Sequence, residues 1–225
     1  MKRVLSIMAL AVLTACGGGC GGGGEYTLDV KGSVPSTTTP TTPAPPAAPV
    51  NPFACYIGLN GDSILNGFEL ADTPAMIIKR LRPKYTVINR AVNGQALVNR
   101  VPAFYNETRN TAIEVIAWGV NDSVIPGAPY EQTLRDVTAY LRAEGRKVVF
   151  TGLTRQNPDV PAIVAFDLLM AKVAHDMNVP FADYHNMPFS AADIVVSNGH
   201  PAQAYTTRNT LKLIEVLDAT APECR

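Results

Sequence analysis

Charge is scarce in this chain. Only 17% of its 225 residues are charged, and its 19 basic side chains balance 19 acidic ones. That balance excludes a strongly basic nucleic-acid binder, and an apolar share of 47% excludes a disordered protein. No long hydrophobic runs recur, so a multi-pass membrane protein is excluded as well. Zinc-ligand spacing is absent: Cys16 and Cys20 lie in a glycine tract with no histidine nearby. Gly58-x-x-Gly61 is misspaced for a dinucleotide loop, and no Gly-Lys-Ser/Thr follows Gly67. No repeat of about 20–50 residues is visible. Nothing calls for a metal or an organic cofactor, and no nucleic-acid partner is expected.

What is present begins with an address. Lys2 and Arg3 precede an apolar run from Val4 to Ala15. As a helix it would reach about 18 Å, short of a hydrocarbon core of about 30 Å. A cleaved leader over residues 1–15 is therefore predicted. Its end, Leu13-Thr14-Ala15-Cys16, resembles the lipobox of bacterial lipoproteins. That resemblance implies lipidation of Cys16 and anchoring to a bacterial membrane. Gly17 follows where an Asp would favour inner-membrane retention, so the outer membrane is expected. Residues 16–52, Gly-rich and then Thr/Pro-rich, read as a flexible tether that stiffens towards polyproline II.

Residues 53–225 remain, a size that suits one domain with one core. A monomer is expected. Cys55 and Cys224 sit at the two ends of this domain in an oxidising compartment, which predicts a disulfide; two free thiols are the alternative. Cys20 is left over.

Short apolar or β-branched runs at 55–59, 86–92, 112–118, 147–152 and 179–182 read as strands. Between and after them, helices are predicted over 74–81, 130–144, 160–177 and 202–217. In the second of these, Leu134, Val137 and Leu141 recur at the spacing of one buried face. Strands that are apolar throughout and alternate with helices indicate a parallel sheet covered on both faces. Ligands collect at the carboxyl ends of such strands.

Four blocks stand at those ends. Gly61-Asp62-Ser63-Ile64-Leu65 follows the first strand and offers an exposed hydroxyl beside a backbone N–H, although Asp-Ser is also a good helix cap. Asn89-Arg90-Ala91-Val92-Asn93-Gly94 closes the second, where a glycine lets backbone approach a ligand or simply makes a tight turn. Gly119-Val120-Asn121-Asp122 follows the third, and an asparagine amide there is a fixed donor or another cap. Ser197-Asn198-Gly199-His200-Pro201 precedes the last helix, and a neutral imidazole can take a proton from Ser63. His175 and His185 read as surface or packing residues, and Trp118 and Tyr205 are candidates for stacking on a sugar, with core packing the alternative.

Taken together and in this order, the blocks resemble those of the SGNH (GDSL-type) hydrolase family, over roughly Phe53 to Leu217. The resemblance implies a flavodoxin-like three-layer α/β/α sandwich with a central parallel sheet of about five strands. It implies serine ester hydrolysis, with Ser63 as nucleophile and His200 as general base. The oxyanion hole would be the backbone N–H of Ser63, the backbone N–H of Gly94 and the side-chain amide of Asn121. An acyl ester is the implied substrate, on an envelope or extracellular polysaccharide or as a short acyl ester. One departure stands out: the family usually has an aspartate three residues before the histidine, and here Ser197 occupies that place. Three readings follow. A backbone carbonyl takes the Nδ1 proton, or Asp193 reaches in, or the domain is weakly active. In the last case a surface lipoprotein with a carbohydrate-binding or adhesion role is the competing function.

Overall fold

Five strands and six helices alternate along the chain in a computed structural model that describes residues 51–195 and 199–225. The leader, Cys16, Cys20 and all of the tether before residue 51 lie outside the described residues. The described ones belong to a single compact unit, Ala48–Arg225. Its elements are β1 (Tyr56–Gly61), α1 (Ser63–Asn66), α2 (Pro74–Leu81), β2 (Thr86–Asn89), α3 (Leu97–Phe104), β3 (Ile113–Ala117), α4 (Tyr130–Ala143), β4 (Lys147–Thr151), α5 (Pro161–Asp176), β5 (Phe181–Ala182) and α6 (Gln203–Thr220).

All strand pairs are parallel and the order is β2-β1-β3-β4-β5. The sheet therefore grows outward in two directions from β1 and β3, and the loops that leave their carboxyl ends diverge. That divergence opens a crevice, the place where ligands bind in open α/β sheets. Side-chain alternation sorts the core into two layers. Ile113, Val115 and Ala117 of β3 pack with Ile77, Ile78, Leu213, Ile214 and Leu217 from α2 and α6. Ile116 and Trp118 point the other way, among Phe104, Leu134, Val137, Leu141 and Met170 from α3, α4 and α5. The fold is the expected three-layer α/β/α sandwich. Among the described residues, no helix is long and apolar enough to cross a membrane.

Cys55, just before β1, and Cys224, after α6, form the expected disulfide, with Cα atoms 5.4 Å apart. It ties the first strand of the domain to the end of its last helix.

Two local differences from the sequence reading have clear causes. A helix, α3, stands where none was predicted. Its first N–H groups are capped from a distance: the Asp122 carboxylate accepts from Leu97 N at 2.9 Å and Val98 N at 3.0 Å. Pro102 near its end and the lack of a local capping side chain hid it. In β3, Glu114 breaks the apolar run and is fully buried. Its carboxylate takes Asn60 Nδ2 at 2.6 Å and the Thr111 hydroxyl, and it pairs with Arg90 at 3.4 Å. Gly58 on β1 makes the room, because a Cβ there would stand 2.1 Å from the Glu114 carboxylate.

Candidate active site

The turn from β1 into α1 shapes the first part of the site. Asp62 is extended at the helix N-cap and its carboxylate accepts from Ile64 N at 2.9 Å, which starts the helix at Ser63. The four-residue helix stops at once on Gly67. Ser63 is thus fixed on a tight, capped turn, only 9% exposed.

His200 arrives from the far end of the chain. Its loop is braced as a short antiparallel ladder: Val195 N donates to the His200 carbonyl at 2.8 Å, Ala202 N donates to the Asp193 carbonyl at 2.7 Å, and Ile194 pairs with Pro201. This places His200 Nε2 2.8 Å from the Ser63 hydroxyl oxygen. Phe68 packs against the imidazole, with ring centroids 4.8 Å apart.

The turn after β3 is strained on purpose. Gly119 sits at φ +147°, and a Cβ there would meet the Tyr130 hydroxyl at 2.6 Å. It delivers Asn121, whose amide nitrogen donates to the Gln95 carbonyl at 3.2 Å and to the Asp62 carboxylate at 3.3 Å. Both bonds are long for N–H···O; together they engage the two amide protons, so Asn121 is pinned in place and reaches an oxyanion in the cleft by sharing one of them. Gly94, at φ +72°, closes the loop after β2. That loop is held by a carboxamide relay: Asn89 Nδ2 donates to Asn66 Oδ1, and Asn66 Nδ2 donates to Asn93 Oδ1, each at 2.9 Å.

Ser63, Gly94, Asn121 and His200 line one cleft of about 390 Å³, together with apolar Phe68 and Ile163. All four residues expected at the site are therefore brought together. Asp193, named in one of the three readings for the missing acid, is engaged elsewhere. Its carboxylate accepts from Ser190 N at 2.7 Å and pairs with Arg208 at 2.7 Å, and that guanidinium holds it below the usual carboxylate range. Ser197 lies outside the described residues. Trp118 and Tyr205 are both fully buried, so neither stacks on a sugar. The His175 side chain is 90% exposed.

Burial governs the acids around the nucleophile. Asp62 is pushed up to about 7, chiefly by burial and further by the charge of Asp122, against the pull of its bonds from Ile64 and Asn121. Asp122 is also raised by burial, against the two α3 N–H groups it caps. Among the described residues no group of three His, Cys, Asp or Glu side chains stands ready to hold a metal ion.

The parallel 2-1-3-4-5 sheet that carries this serine and imidazole has parallels among solved structures. Over 73% of this chain and 98% of the other, the structure is similar to that of TesA, with TM-score 0.60 and 25% sequence identity. The chain has the SGNH (GDSL-type) hydrolase fold. A GDSL-like lipase from Bacteroides thetaiotaomicron aligns with TM-score 0.59 and 17% identity over 77% of this chain and 92% of the other. The acetyl xylan esterase AlAXEase aligns with TM-score 0.60 and 16% identity over 72% of this chain and 99% of the other. No family model matches the sequence, and no curated protein matches it either. In this domain the sequence reading missed Asn66 and Phe68, which brace the site without belonging to a motif, and gave no bracing role to Asn89, the first residue of its second block. The recurrence Asn89-x3-Asn93 was the available signal, and nothing in the sequence joined Asn66 to it.

Proposed function

We propose that this chain is a serine ester hydrolase working through an acyl-enzyme. The observation that carries the reading is the 2.8 Å contact between His200 Nε2 and the Ser63 hydroxyl at the mouth of a cleft shared with Gly94 and Asn121. His200 accepts the hydroxyl proton as Ser63 attacks the acyl carbonyl. Negative charge then develops on the carbonyl oxygen, and the N–H groups of Ser63 and Gly94 and the Asn121 amide donate to it. Donors fixed before the reaction need no reorganisation, and each is worth about 10²–10³ in turnover. His200 returns the proton to the departing alcohol, and water repeats the cycle on the acyl-enzyme.

The substrate class follows from compartment and shape. The proposed leader and Cys16 anchor put the domain outside the cytoplasm, held to the outer membrane through a tether. O-acyl groups on envelope or extracellular polysaccharide, or short acyl esters, are what it would meet there. The apolar Phe68 and Ile163 walls suit the acyl side of such a substrate. Hydrolysis of p-nitrophenyl acetate tests the chemistry: activity is expected in the parent protein, and undiminished activity in Ser63→Ala would refute the assignment.

A further inference from the structure

Behind Ser63, where the carboxyl ends of β1, β3 and β4 meet the inner face of α6, lies a small cavity that the proposed ester chemistry leaves unused. Asp62, Thr151, Thr154 and Asn209 give it a polar wall, and Ala117 and Leu153 an apolar one. It leaves about 20 Å³ in which the centre of a water molecule can lie; one water needs roughly 10–15 Å³ by that measure. Asn209 is 3% exposed and Thr154 1%. The Asn209 amide oxygen and the Thr154 hydroxyl nevertheless have no hydrogen-bond partner among the described residues, and the Asn209 amide nitrogen faces the Tyr205 hydroxyl without completing a bond. Buried polar atoms left unpaired are rare and costly, and an ordered water is their usual remedy.

We propose that this cavity is a water site, in which one molecule donates to Asn209 Oδ1 and to the Asp62 carboxylate and accepts the Thr154 hydroxyl. The site does more than fill space. Asp62 in its ionised form is the acceptor that pins the Asn121 amide at the cleft, and a hydrogen bond to a carboxylate favours that ionised form. The water thus keeps Asp62 charged from behind while Asn121 reads that charge from the front. The other titratable groups facing Asp62 are Asp122 on the turn after β3, Tyr130 at the start of α4 and, past Ser63, His200. Tyr184 closes the cavity on the β5 side and is kept neutral by burial, while α6 presents the uncharged Thr206, Asn209 and Thr210.

Diffraction from crystals of the full chain, at a resolution that orders internal waters, is the direct test. A density peak within hydrogen-bond distance of Asn209 Oδ1, Thr154 Oγ1 and the Asp62 carboxylate is expected. An empty cavity, or side chains turned to pair with one another, overturns the proposal. A kinetic arm rests on the esterase reading: Asn209→Leu combined with Thr154→Val fills the space with methyl groups. The acid limb of the pH profile of kcat/KM should then move up by about half to one pH unit, since Asp62 loses a donor to its charged form. Asn209→Ser, which keeps a hydroxyl and room for the water, should bring the limb back. An unmoved limb in the folded double variant contradicts the proposal. If the parent protein hydrolyses no ester, the esterase reading fails by itself, and the density still decides this one.

Discussion

Asp62 is asked to do two things that conflict. As an N-cap and as the acceptor for Asn121 it serves best when charged, yet it is 1% exposed and burial opposes the charge. The sign of its effect on stability follows. Its folded value of about 7 stands above the reference of 3.8, so the folded state binds the proton more tightly. Near pH 4 and below, the group adds no cost; the cost grows as pH rises and is complete above about 7. Asp62→Asn keeps a capping oxygen and removes the charge. It should therefore melt higher than the parent at pH 8, by up to about 4 kcal/mol in stability, with the difference closing towards pH 4. Its kcat should fall about 10- to 100-fold, because Asn121 loses the charged acceptor that orients it. Thermal melts and kinetics over that pH range check both halves, and a variant that loses stability at pH 8 would contradict the account.

The elements show where local sequence suffices and where it does not. For α2, Thr73 caps and Pro74 starts the helix, and the predicted span 74–81 matches the observed Pro74–Leu81. α3 was illegible because its cap, Asp122, comes from 25 residues along the chain. Asp122→Ala should cost about 1–2 kcal/mol and speed amide exchange at Leu97 and Val98; unchanged exchange there would remove the long-range cap. β3 was read as apolar throughout because a buried carboxylate leaves no period to detect, and only Gly58 across the register marks its place. Gly58→Ala forces a methyl onto the Glu114 carboxylate and the Arg90 guanidinium. A loss of about 2–4 kcal/mol is expected, read by urea denaturation, and a neutral result would contradict the close approach.

At the scale of the molecule, one covalent bond and one topology hold distant residues together. The disulfide spans a sequence separation of 169 residues, and chain-entropy arithmetic gives about 5 kcal/mol as an upper estimate of its worth. Cys55→Ala should lower Tm markedly by calorimetry, and an unchanged Tm would show that the unlinked chain ends are already constrained. The four blocks were legible because the strand order brings their loops to one rim, so the chemistry could be read from residues at strand ends. What braces them (the Asn89–Asn66–Asn93 relay, the Phe68 ring on His200, the Arg208 lock on Asp193) depends on three-dimensional neighbours that no linear pattern announces. The proposed anchor is separate from the fold and separately testable: labelled palmitate should enter the parent chain and not Cys16→Ser. The central claim is that Ser63 is a nucleophile activated by His200, and covalent labelling with a fluorophosphonate followed by peptide mapping tests it most directly. The account predicts a single adduct on Ser63, abolished in Ser63→Ala and slowed at least about 100-fold in His200→Ala; an unlabelled Ser63, or labelling that proceeds at the same rate without the imidazole, would contradict it.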